Sequence, residues 1–203
     1  MNLSESMRRE LIETVCCRIV AATEELTDLD RAIGDGDHGL NMKRGFQEVL
    51  SKLDDLAPKP LPTALSDTGM ALVMKVGGAS GPLYGTLLMT LGKTLPESPS
   101  LDDLSTALGA AVEAVQRRGK SEAGQKTMLD VWVPIAELLS SGERNPDEMR
   151  RQAAAAADLT VPMKAIRGRA SFLGERSIGH MDPGARSSQI IIEAACDAME
   201  GWS

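Results

Sequence analysis

The sequence predicts an all-α domain, and three observations carry that prediction. Apolar residues recur at helical spacing through most of the 203 residues, helix-capping residues followed by proline or acidic side chains open several segments, and no segment alternates convincingly between apolar and polar residues. Only five residues are aromatic (Phe46, Tyr84, Trp132, Phe172, Trp202), so a core must be built from Leu, Ile, Val, Met and Ala, mostly good helix formers. A hydrophobic content of 42% over this length suffices for one buried core, and residues 1–203 are read as a single domain. The run "SQIIIEA" is the one β-like stretch, and helix signals flank it.

About eight helices follow in order. From Ser4 to Leu26, Met7, Leu11, Val15, Ile19 and Val20 form an apolar stripe opposite Arg8, Arg9 and Glu13. A second helix spans about Gly39 to Leu56 on Met42, Phe46, Val49, Leu50 and Leu53, and "APKPLP" ends it because proline cannot continue the hydrogen-bond ladder. Segments 61–76 and 82–95 are apolar all round, which places them inside a bundle. Ser100 caps a fifth helix whose first turn carries Asp102 and Asp103, where acidic groups favour the positive end of the dipole. A sixth covers Thr127 to Ser140, with Pro134 as an expected kink. Asn145 with Pro146, and Asp182 with Pro183, open the seventh and eighth.

A formal charge of −7 and a pI near 5.0 exclude a general nucleic-acid binder, which needs a basic face to displace counterions. Anionic membrane surfaces are disfavoured for the same reason, and no apolar run approaches the roughly 18 to 20 residues of a membrane span. The opening "MNLSESMRREL" lacks the charged-then-apolar order of a signal peptide, so a cytoplasmic location is expected. Cys16, Cys17 and Cys196 offer neither metal spacing nor a disulfide framework and read as reduced, buried small hydrophobes.

Three glycine-rich polar segments, 34–39, 76–85 and 168–184, do not fit a bland bundle. The last, "GRASFLGERSIGHMDPG", exceeds the short turns that connect bundle helices, and ordered loops of that length tend to carry function. In the first, Asp30, Asp35 and Asp37 would repel one another unless a cation neutralised them, and Mg2+ suits hard carboxylate oxygens. His38 is then placed to hydrogen-bond a phosphate or a metal-bound water. A turn held by Asx hydrogen bonds is an equal reading of this segment alone. EF-hand spacing and zinc-ligand spacing are both missing.

The second segment, "GGASGPLYG", could offer backbone N–H groups and the Ser80 hydroxyl to a phosphate at a helix start, or could simply allow close packing. Neither "LGKT" nor "GQKT" completes a Walker pattern. The third supplies Arg167, Arg169, Arg176 and Arg186 to an otherwise acidic chain. Guanidinium groups can fork onto phosphate oxygens, but for most of these a solvated loop paired with carboxylates is the better reading. Met128, following a glycine-rich loop, could line an apolar slot for a base.

Taken together, "LDRAIGDGDHGLNMKRGF", "TGMALVMKVGGASGPLYGT", "RGKSEAGQKTMLDVWVP" and "GRASFLGERSIGHMDPGARS" resemble, in this order, the nucleotide-binding L subunit of dihydroxyacetone kinases. The resemblance runs from the first helix to the last. It implies an antiparallel barrel of eight helices with the nucleotide and metals at one end. Two Mg2+ ions are implied on Asp30, Asp35 and Asp37. Contacts to ADP or ATP are implied for His38, Gly39, Leu40, Asn41, Ala79, Ser80, Gly119, Met128, Arg169, Asp182, Pro183 and Gly184, with Arg169 also the candidate for stabilising transferred charge.

The resemblance further implies phosphoryl transfer to dihydroxyacetone held on a separate K subunit. In one branch ADP stays bound and a phosphohistidine carrier of the phosphotransferase system recharges it; in the other ATP exchanges. The first branch is favoured. Erythrulose or a related ketose as acceptor, and a role in binding a transcriptional regulator, stay open.

Overall fold

The computed structural model describes residues 3–200. Among these there are ten α-helices, one 3-10 helix and no strand. The helices are α1 (Glu5–Ala21), α2 (Thr23–Ile33), α3 (His38–Ser51), α4 (Leu53–Leu56), α5 (Leu61–Lys75), α6 (Ser80–Thr94), α7 (Leu101–Gly119), α8 (Leu129–Ser140), α9 (Pro146–Leu159) and α10 (Pro183–Glu200), with the 3-10 helix over Arg169–Ser177.

Eight of them close into a ring in the order α1, α3, α5, α6, α7, α8, α9, α10 and back to α1. Ring neighbours run antiparallel, through short connections as between α5 and α6 and across the longer ones as well. The short α4 beyond the end of α3 illustrates this: Arg9 near the start of α1 pairs with Asp54 of α4 at 2.7 Å. The inside of the ring is the core, with Ile19, Met42, Val49, Leu72, Leu87, Val115 and Val131 essentially inaccessible.

Two predicted helices are each broken once. The first ends at Ala22 (φ −82°, ψ 10°), and a new helix, α2, carries the chain on to Ile33. The buried set Leu26, Thr27, Asp30 and Ile33 is a helical stripe half made of polar residues, so apolar periodicity alone misses it. Asp30 therefore belongs to the last turn of a helix, not to the glycine-rich loop. The second predicted helix breaks at Lys52 into α3 and the single turn α4. The predicted caps are present: Ser100 and Asp103 form a reciprocal capping box, and Asn145 accepts from the Asp147 amide at 2.9 Å. Helix α8 runs on through Pro134. Cys16 and Cys196 are buried as expected, whereas Cys17 is exposed, and all three are free thiols.

The tightest seam in the ring joins α5 and α6, where backbones meet through small residues. A Cβ on Gly69 would lie 2.8 Å from the Gly85 carbonyl oxygen and 2.9 Å from the Met89 amide nitrogen. Backbone atoms cannot give way as a flexible side chain would. Gly69→Ala should thus lower unfolding free energy by about 1–3 kcal/mol, read as a reduced urea midpoint at unchanged slope. Gly109→Ala on α7, where an added Cβ meets nothing within 4 Å, should instead raise stability by about 0.5–1 kcal/mol.

Candidate functional site

One end of the ring opens into a cavity of about 740 Å³. Alternation of helix direction brings four N-termini to it: His38 of α3, Ser80 of α6, Leu129 of α8, and Pro183 and Gly184 of α10 all line the wall. Each start presents amides without intrahelical partners and the positive end of a dipole, so the cavity is built to receive negative charge.

Against that positive rim stand three carboxylates. Asp30, Asp35 and Asp37 each offer an oxygen, and the three oxygens lie within 4.8 Å of one another. Asp30 is buried, with one oxygen accepting from the Asp37 amide at 2.8 Å and the His38 amide at 3.0 Å. It thereby caps α3 from another helix, since Asp37 at the capping position makes no side-chain cap bond of its own. Two glycines permit this turn. A side chain at Gly34 would collide with the Asp30 carboxylate, and Gly36 adopts φ +73°, which L side chains disfavour. Asp35 pairs with Arg169 from the 3-10 helix across the cavity mouth. Hard oxygen donors gathered this closely fit Mg2+ and could hold it.

His38 is buried, and burial pushes its pKa below the ordinary value, against the pull of Asp30 and Asp37. Both ring nitrogens are engaged by serines: Nδ1 lies 3.1 Å from Ser80 Oγ and Nε2 3.0 Å from Ser187 Oγ. The histidine expected to face a phosphate therefore orients the hydroxyl that lines the cavity. Behind it, the Tyr84 hydroxyl bridges Ser187 at 2.7 Å and Ser188 at 2.8 Å, tying α6 to α10.

The opposite wall is partly apolar, from Leu83, Val115, Met128 and Leu129, with Gly119 at the end of α7. It rests on a group the sequence reading passed over. Lys126 is 1% exposed, and its ammonium reaches four main-chain carbonyls, those of Thr160, Met163, Ser177 and His180. In "GQKT" the available signal is a lysine between a glycine and a helix start, with no acidic partner beside it in sequence before Asp130. Asp130 caps the same turn, accepting from the Gly124 and Thr127 amides at 2.5 and 2.7 Å. Asp182 caps α10 through the Ala185 amide at 2.8 Å, and burial pushes its carboxyl up to about 7.

Of the residues singled out in sequence, Asp30, Asp35, Asp37, His38, Ala79, Ser80, Gly119, Met128, Arg169, Asp182, Pro183 and Gly184 line this one cavity. Gly39, Leu40 and Asn41 do not. Gly39 is where α3 meets α2 too closely for any side chain, and Leu40 is 57% exposed. Asn41 is buried against the loop, where a Cβ on Gly77 would strike its side chain at 2.5 Å. Among the loop arginines, Arg186 pairs with Glu25 at 2.6 Å, the surface role expected for most of them.

Two predictions follow from these caps. Removing the Asp30 carboxylate leaves two amides of α3 unpaired, so Asp30→Ala should cost about 1–3 kcal/mol of stability, whereas Asp35→Ala, losing one half-exposed ion pair, should cost under about 1 kcal/mol in the same denaturation assay. Asp182 holds its proton more tightly folded than unfolded, so the folded state binds more protons between pH 4 and 7 and stability falls as pH rises through that window. Relative to the unmodified chain, Asp182→Asn should remove this component from a pH series of unfolding midpoints.

The geometry agrees with three comparisons. The DAK2 domain model matches residues 32–197. The chain is 47% identical over 180 residues to the PEP-dependent dihydroxyacetone kinase, ADP-binding subunit DhaL, of Escherichia coli, covering 84% of this chain and 86% of that one. It is 44% identical over 178 residues to the PEP-dependent dihydroxyacetone kinase 1, ADP-binding subunit DhaL, of Listeria innocua, covering 87% and 88%. The native crystal structure of the dihydroxyacetone kinase of C. freundii superposes with a TM-score of 0.80 at 23% identity over 97% of this chain. That likeness is one of fold, and this chain spans 35% of that structure's length. A model matched over most of the sequence, together with two relatives matched nearly end to end, shows that the chain belongs to the DAK2 domain family.

Proposed function

We propose that this chain is the nucleotide-binding subunit of a dihydroxyacetone kinase, holding ADP or ATP with two Mg2+ ions and passing a phosphoryl group to a small ketose carried by a separate K subunit. The observation behind this reading is the convergence of three carboxylates and four helix N-termini on one cavity that also has an apolar wall. A nucleotide diphosphate needs those three surfaces at once.

In this reading Asp30, Asp35 and Asp37 would hold the Mg2+ ions, whose charge would offset that of the phosphates. Ser80 and the uncapped amides opening α6 would bind phosphate oxygens, with His38 fixing the direction of the Ser80 hydroxyl. Leu83, Met128 and Leu129 pack the base beside Gly119. Arg169, paired with Asp35 on the cavity wall, would be the guanidinium that stabilises transferred charge. His38 has both nitrogens engaged and is not used as a general base. That suits phosphoryl transfer, where positioning and charge neutralisation do most of the catalysis.

The two relatives are named as ADP-binding and PEP-dependent, which supports ADP as a resident group recharged by a phosphohistidine carrier. Purified protein should accordingly release stoichiometric ADP on denaturation, seen by mass spectrometry, and lose it beforehand to a chelator. The double change Asp35→Asn and Asp37→Asn should abolish ADP retention while far-ultraviolet circular dichroism stays helical. Combined with a K subunit and dihydroxyacetone, the chain should yield triose phosphate from a phosphorylated carrier. Product from ATP alone would move it to the exchanging branch, and no product from either donor, with tight binding to a transcriptional regulator, would overturn the kinase reading.

A further inference from the structure

Lys126 is a buried charge that the proposed chemistry does not use, and its placement is costly. Its backbone sits at φ +63°, where residues other than glycine are uncommon, and its ammonium is withdrawn from water, which lowers its pKa despite the nearby charges of Asp182 and Asp130. A lysine in such a position persists when its hydrogen bonds replace the lost hydration.

The four acceptors define what it holds. Thr160 and Met163 follow α9, at 2.8 and 3.2 Å from Nζ, while Ser177 ends the 3-10 helix and His180 follows it, at 2.8 and 2.5 Å. Between the two pairs the chain makes an excursion that carries Arg167, Gly168, Arg169 and Ala170 into the cavity wall. Shorter clasps close the same neck: the Gly179 amide donates to the Val161 carbonyl at 2.8 Å and the Ala165 amide to Ser177 Oγ at 2.9 Å. The Asp182 amide donates to Thr160 Oγ1 at 3.0 Å. Residues 127–129 beside the lysine, and 182–184 beyond the neck, are also cavity wall.

We propose that Lys126 is a positioning residue: its ammonium fastens the neck of the loop 164–176 to the base-side wall, setting where Arg169 stands relative to Asp35 and how long a bound nucleotide is retained. This rests on the nucleotide-binding reading for its second consequence only. The first, that the Lys126 ammonium fastens the neck of the loop, is independent of any ligand.

Lys126→Met keeps the side-chain length and removes the donor, leaving four carbonyls to find water or no partner at all. In nucleotide-free protein, amide hydrogen exchange should rise by at least about tenfold within 160–182 and stay within about threefold of wild type in α5 and α6. In the presence of Mg2+, ADP should dissociate at least about tenfold faster. Exchange rising equally in every helix would mark Lys126 as general core and overturn the proposal, as would unchanged exchange in 160–182. If wild type itself binds no ADP, the function proposed above fails while the exchange measurement still decides the fastening.

Should the variant not fold, unmodified protein supplies the test through acylation of its lysines. Lys126 should react at least about a hundredfold more slowly than the exposed Lys120 and Lys164, and more slowly again with Mg2+ and ADP. Reaction at the rate of those exposed lysines would show that the ammonium is not held, and would equally overturn the proposal.

Discussion

The carboxylate of Asp30 is the interaction on which the site depends. By accepting from the Asp37 and His38 amides it ends one helix and begins the next, and the four residues between have no freedom left except through Gly34 and Gly36. The position of Asp35 and Asp37 beside Asp30 follows from that cap. So does the position of His38, whose ring then reaches Ser80 on α6 and Ser187 on α10. One acidic side chain thus registers three members of the ring against one another before any ligand enters.

Electrostatic balance explains why so acidic a cluster is tolerated. Carboxylates this close raise each other's energy, but here they face the starts of four helices and the Arg169 guanidinium. Opposing charges on one surface are what a metal-bound phosphate needs, the carboxylates for the cation and the amides for the anion. The far wall solves a different problem, since it must be apolar yet carry loop backbone. Lys126, Asp130 and Asp182 supply the buried polar groups that satisfy that backbone.

The eight helices of the ring were legible in the sequence because they rest on apolar periodicity and on caps that bond locally, such as Ser100 and Asn145, whereas their closure into a barrel came only with the family resemblance. The breaks at Ala22 and Lys52 were not, because neither proline nor glycine marks them and an apolar residue, Leu26 or Leu53, follows each one at helical spacing. Site residues read from glycine-rich motifs line the cavity wherever the motif itself forms the wall. Asn41 is different: the family resemblance implies a nucleotide contact there, and the fold sets its side chain against Gly77, which itself lines the cavity. Lys126 was illegible for the opposite reason. Its partners are main-chain carbonyls between 34 and 54 residues away, and no residue type announces a carbonyl.

The closed ring has a kinetic corollary. Around most of its circumference each helix packs on its neighbour in sequence, contacts that form quickly because little chain entropy is lost in closing them. The seam between α1 and α10 is the exception, joining the two ends of the described chain. The His38 to Ser187 hydrogen bond spans 149 residues and forms only when that seam shuts. An open, nearly complete arc of helices would therefore have most of its secondary structure and none of its cavity. A ligand that fills the cavity would favour the closed ring over such an arc, and its binding energy would act at the junction where the two ends of the described chain meet.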